Sequence, residues 1–154
     1  MTATKVIGES VKQTNRTFIK SYVNDYADAI TENYRRYHIR TLKGNLHGNY
    51  PEYAREQLDA IENGTANLMK FKVYTGKRYY KIVQQEFETW EGSRNYGKYA
   101  DGSVHCFVDK ETGDVYKPAS WSAPAKHIRF TFQNVDHLKF LLNPDNVGWA
   151  GGYL

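Results

Sequence analysis

Residues 117–129 hold the densest set of groups in the chain that could grip a ligand. Lys117, Lys126 and Arg129 supply fixed positive charge, His127 a titratable ring and Trp121 a large flat one, in a stretch braced by Pro118 and Pro124. A phosphate needs donors converging from a stiff frame, and a nucleobase needs a flat face to stack on. Proline fixes φ and withholds a backbone donor, so the residues between the two prolines should be rigid without joining a sheet. The expected ligand is phosphate-bearing, a nucleotide or nucleic acid, with Trp121 stacking and the cations neutralising charge. The competing structural reading makes Trp121 a core plug and the cations its solvated rim.

A second basic patch, Arg35, Arg36, Arg40 and Lys43, lies at the end of a helical pattern. It could meet phosphate. Basic residues there also complement the negative end of the helix dipole, and that reading is preferred.

Other chemistry finds little support. Residues 109–114 resemble a calcium loop only loosely, because counting from Asp109 the glycine falls fifth and the twelfth residue is Ser120; a hairpin turn fits better. The histidines, at 38, 47, 105, 127 and 137, form no helical zinc pair. His105 and Cys106 are strand neighbours expected on opposite faces, which argues against a shared metal or a dyad. Phosphate-loop, dinucleotide and nucleophile-elbow patterns are missing. No catalytic residue, metal ligand or cofactor is nominated.

The elements that must position these groups follow from periodicity. Residues 1–13 read as a polar arm, with Thr14 or Asn15 as a helix cap. Ile19, Tyr22, Val23, Tyr26, Ile30, Tyr34 and Tyr37 then recur at spacings of three and four, a stripe on one helix face, with Gly44 as the stop. A second helix should open at Pro51 and close at Asn63-Gly64, with Ala54, Leu58 and Ile61 inward. Residues 15–64 are thus mainly helical and 68–132 mainly β. Strands are expected over 68–74 and 78–87 about a turn at 75–77. A loop over 91–102 leads to a hairpin of 103–108 and 115–117 that uses Gly113 at positive φ, and 128–132 form a last short strand. Asn134 should cap a short helix over 134–142, and 143–154 read as a tail exposing Trp149 and Tyr153. The fold class is α+β: N-terminal helices packed on a small antiparallel sheet, with a short C-terminal helix, in a single domain over 1–154.

Bulk properties narrow the setting. The 154 residues have a formal charge of +4, a pI near 9.0 and 13 tyrosines, compatible with phosphate-bearing partners without demanding them. No apolar run is long enough to span a membrane, and the first residues do not read as a secretion signal. One cysteine excludes an internal disulfide and points to a reducing cytosol.

The stretch from Asp101 to Asp109 and on through Lys117-Pro118-Ala119-Ser120-Trp121-Ser122-Ala123-Pro124-Ala125-Lys126-His127-Ile128-Arg129 resembles a segment of small uncharacterised proteins of tailed bacteriophages, a hairpin leading into an Ala-Ser-Trp-x-x-Pro-Ala-Lys-x-x-Arg run. The resemblance covers about 30 residues and brings no assigned chemistry. It implies a phage setting: host takeover, counter-defence, or a minor part in genome handling or assembly. The leading expectation is a non-enzymatic phage accessory protein of the host cytoplasm that binds a phosphate-bearing ligand. A virion or assembly component, or an inhibitor docking on a host protein through the tyrosine-rich helix and the C-terminal aromatics, is the second. A small hydrolase or nuclease is the third. Self-association through the aromatic stripe stays open.

Overall fold

The computed structural model describes residues 2–154, with side chains from Arg16 onward. Two helices, α1 (Thr2–Asn45) and α2 (Pro51–Glu62), precede five strands, β1 (Lys70–Thr75), β2 (Tyr79–Phe87), β3 (Tyr99–Asp109), β4 (Asp114–Pro118) and β5 (Pro124–Thr131), and a last helix, α3 (Val135–Leu141). The strands form one antiparallel sheet in chain order, β1 and β5 at its edges. The architecture is α+β.

Local chemistry accounts for most element ends. Pro51 starts α2, Asn63 ends it, and Gly64 follows at φ +74°. The Asn134 side chain accepts hydrogen bonds from the Asp136 and His137 backbone at the start of α3. In the β3–β4 turn the Asp109 carboxylate accepts from the Glu111 and Thr112 amides, at 2.8 and 3.0 Å, and Gly113 takes φ +74°. A Cβ at Gly113 would lie 3.0 Å from the Phe132 Cβ, so the turn needs glycine twice over.

The α1 stripe forms the core. Ile19, Val23, Tyr26 and Ile30 are buried against Phe71, Tyr80, Ile82, Cys106, Val108 and Val115 on the inner sheet face. Burial of such side chains stabilises by about 1.5–3 kcal/mol each before conformational entropy is subtracted. Among the described residues, the helix side chains of the core lie on this inner face, and Tyr74, Lys81 and Phe107 of the opposite face stand outside that core.

Most element ends fall within one or two residues of the sequence reading, α1 running through the expected stop Gly44 to Asn45; the larger differences are these. α1 begins at Thr2, so residues 2–13 belong to the helix rather than to an arm; no proline interrupts them. The side chains of the cap candidates Thr14 and Asn15 lie outside the described residues. β3 begins at Tyr99 inside the expected loop, because Tyr99, Ala100 and Asp101 pair with Phe87, Glu86 and Gln85. β5 starts at Pro124 and ends at Thr131, leaving Phe132 outside; both prolines sit where a missing donor costs least, at strand ends.

The expected C-terminal tail is packed. Trp149 lies edge-on to Tyr34 with centroids 5.4 Å apart, and its amide donates to the Asn33 Oδ1 at 3.0 Å. The Asn33 amide in turn donates to the Pro144 carbonyl at 2.7 Å. One α1 asparagine therefore clamps both ends of the returning segment, and Trp149 and Tyr153 face inward.

Candidate functional site: an aromatic and cationic cleft on the open sheet face

Residues 118–124 form a closed loop between β4 and β5. Ala119 and Ser120 amides both donate to the Ala123 carbonyl, at 3.0 and 3.1 Å, and the Ser120 Oγ accepts from the Ser122 and Ala123 amides. Pro118 and Pro124 pair at its base. The loop's internal bonds leave Trp121 at the tip, 48% exposed. The indole is thus accessible and not a core plug.

The loop leans over a row that crosses the whole sheet. Strand register aligns Tyr74 with Lys81, Lys81 with Phe107, Phe107 with Tyr116 and Tyr116 with Ile128, one residue from each strand. Neighbouring strands are spaced by about 4.8 Å, so the row is roughly 19 Å long. Lys81 reaches up from it. Its ammonium lies 4.1 Å from the Trp121 ring centroid and donates to the Trp121 carbonyl at 2.9 Å. A cation over indole gains about 0.5–1 kcal/mol at an exposed site. Phe107 is buried beneath, edge-on to Tyr79 at 5.9 Å, and Tyr79 is edge-on to Tyr116 at 6.1 Å.

Tyr74, Tyr79, Lys81, Phe107 and Trp121 line a cleft of about 450 Å³, together with Lys77 and Arg78 from the β1–β2 turn. The cleft's one carboxylate is already engaged: Asp101 accepts from the Tyr74 hydroxyl and the Gln85 amide, each at 2.8 Å. The Gln85 amide foremost, then Tyr74 and the nearby Lys72 and Lys81, hold the Asp101 carboxyl below its usual range. The bond to Asp101, above all, raises the Tyr74 phenol. A face of stacking rings with three cations and one satisfied carboxylate suits an anionic aromatic ligand.

The cations named from sequence stand elsewhere. Lys117 lies beside a different, smaller hollow with His105 and Trp149. Lys126, His127 and Arg129 are exposed along the edge strand β5 and do not line the cleft. Of the five expected site residues only Trp121 is in it. The reason is register: β5 is irregular against β4, with shifts between Val115/Tyr116 and Tyr116/Pro118, and proximity in sequence is lost across them. Lys77, Arg78 and Lys81 take their place, and the strand alternation of β2 is the signal that could have found Lys81. In the second basic patch Arg35 and Arg36 are engaged by Glu32, at 3.4 and 3.2 Å, and Arg36 also by Asp145 at 3.0 Å, while Arg40 and Lys43 are exposed.

A second cluster lies under the sheet. Ile82 pairs with Cys106 and Val83 with Val104, so His105 is an extra residue, a bulge, in β3. The bulge undoes the expected separation of His105 from Cys106: His105 joins a hydrogen-bonded chain that ends at Tyr26, beside Cys106. His105 Nε2 lies 2.7 Å from the Tyr153 hydroxyl, Tyr153 bonds to the Tyr26 hydroxyl, and Tyr26 neighbours the Cys106 thiol. Burial pushes His105 down to about 4, with a smaller opposing effect from its bond to the Trp149 carbonyl. The neutral ring therefore donates Nδ1–H to that carbonyl and accepts at Nε2 from Tyr153. Tyr26 then donates to Tyr153. Burial also pushes the Cys106 thiol up to about 12 and the Tyr26 and Tyr153 phenols above their usual range. A buried, protonated thiol is a poor nucleophile. The chain's evident role is to fasten the C-terminus to α1 and β3.

The fold and its open face define an α+β protein with a helix-covered inner sheet surface and a cleft on the outer one. Residues 5–154 match the model of a family of unknown function, DUF7717, and the chain belongs to that family. No curated protein and no solved structure matches it. Among the described residues no helix is long and apolar enough to cross a membrane.

Proposed function

We propose that the protein is a non-enzymatic bacteriophage accessory protein, working in the host cytoplasm in host takeover or counter-defence, that binds a phosphate-bearing ligand, nucleotide or nucleic acid, in the cleft beneath Trp121. One observation carries the reading: the exposed indole of Trp121 and the Lys81 ammonium are joined at 4.1 Å over a floor of aromatic rings. A base would stack on the indole. Its phosphate would meet Lys81, Lys77 and Arg78, which replace the partners expected from the loop's own sequence. The phage setting rests on the resemblance of residues 101–129 to small tailed-phage proteins.

The docking alternative draws no support from the C-terminal aromatics, since Trp149 and Tyr153 are packed within the chain. The virion alternative is tested by mass spectrometry of purified particles, in which an accessory protein should be missing. For the ligand, isothermal titration at low salt with adenosine and thymidine nucleotides should show binding that Lys81→Ala weakens. Heats indistinguishable from dilution for every nucleotide and for a short oligonucleotide would overturn the binding reading.

A further inference from the structure

The positive charge of the open face extends well past the cleft. Lys70 and Lys72 stand two residues apart on the outer side of the edge strand β1, and each lies over a ring, Lys70 at 3.9 Å from Tyr99 and Lys72 at 4.8 Å from Tyr74. Arg78 stacks 5.2 Å from Tyr79 at the turn, and Lys81 completes the set over Trp121. Two of these four cation–ring pairs have their cation on β1, about 17 Å of strand, and the other two lie past its turn, at Arg78 and on β2. A single nucleotide would occupy the Trp121 end and leave Lys70, Lys72 and Tyr99 without a role.

We propose that the ligand is a single-stranded nucleic acid, laid along β1 with its phosphates on Lys70, Lys72, Lys77 and Arg78 and its bases turned onto the outer sheet face. This rests on the phosphate-ligand reading above and names the class of ligand. A repeated pairing of ring and cation suits a polymer in which base and phosphate also repeat. A duplex is the wrong shape, because its base faces are already stacked on one another, whereas rings presented on an open sheet need bases that are free. The face carries few groups aimed at base edges, with Gln85 and Asp101 bonded to each other, so binding is tolerant of sequence.

The test is fluorescence anisotropy of the full chain with a labelled oligothymidylate of about eight nucleotides, competed by thymidine monophosphate and by a duplex of equal length. The oligonucleotide should bind at least about tenfold tighter than the mononucleotide, and the duplex should compete weakly. Affinity should fall with salt by roughly 0.7 in log–log slope for each phosphate held. Lys70→Gln with Lys72→Gln should reduce that slope by about 1.4. The same double variant should leave the response of Trp121 to mononucleotide unchanged, which separates lost contacts from lost fold. Equal affinity for mononucleotide and oligonucleotide, with a slope indifferent to the two substitutions, would overturn the inference while leaving a nucleotide site standing. Equal competition by the duplex would also overturn it. Binding of neither ligand at low salt would remove both readings together.

Discussion

The Lys81 ammonium is held twice by Trp121, at 4.1 Å over its ring and by a 2.9 Å hydrogen bond to its carbonyl. The two residues are 40 positions apart, one on a central strand and one on a loop tip. The pairing fixes the direction in which the loop leans and sets a positive charge at the edge of an accessible ring. Removing Trp121 should therefore affect ligand more than fold. In Trp121→Ala the midpoint of thermal unfolding should shift little, since the side chain is half exposed. Affinity for oligonucleotide should fall by about 1–3 kcal/mol, the usual cost of losing one base stack. Calorimetry and anisotropy on the same preparation check both.

Tyr153→Phe should do the reverse. It leaves the Tyr26 hydroxyl and the His105 Nε2 without their shared partner in the core. A buried group deprived of its hydrogen bond costs about 1–3 kcal/mol. Denaturant unfolding should show that loss, while the open face binds as before.

Stability should also depend on pH through His105. Its folded value lies near 4, below the ordinary 6.5, so between those limits the unfolded chain takes up a proton that the folded chain refuses. Stability therefore falls as pH drops from about 6.5 to about 4, by up to about 3 kcal/mol, and the effect is complete below the folded value. His105→Gln keeps a donor and an acceptor without titrating. Its unfolding midpoint should fall less over that range than the parent's.

Cys106 should resist reagents until the chain opens. The thiol is fully buried and pushed up to about 12. Alkylation by iodoacetamide at neutral pH should then track the rate of opening, and should accelerate in Tyr153→Phe. Rapid labelling of the native protein would show that the thiol is accessible.

The stripe of Ile19, Val23, Tyr26 and Ile30 was readable because helix periodicity is local. So were Pro51, Asn63-Gly64 and Gly113, where one residue's backbone preference fixes an end or a turn. The loop around Trp121 was readable for the same reason, from its two prolines. The cations beside it were not. Which lysine meets the indole depends on strand pairing between β2, β3, β4 and β5, a long-range property that neighbouring residues do not encode. The His105 bulge belongs to that register too. The docked C-terminus depends on Asn33, more than 100 residues away, whose side chain reads as an ordinary polar helix residue.

The most direct measurement follows the three indole N–H resonances, of Trp90, Trp121 and Trp149, in a two-dimensional amide spectrum during titration with a short single-stranded oligonucleotide. The Trp121 resonance, assigned by Trp121→Phe, should move progressively and saturate, while that of Trp149, packed against Tyr34 and Tyr37 behind the sheet, stays in place. A Trp121 resonance that does not move at low salt and saturating oligonucleotide would contradict the assignment of the open face as the binding site.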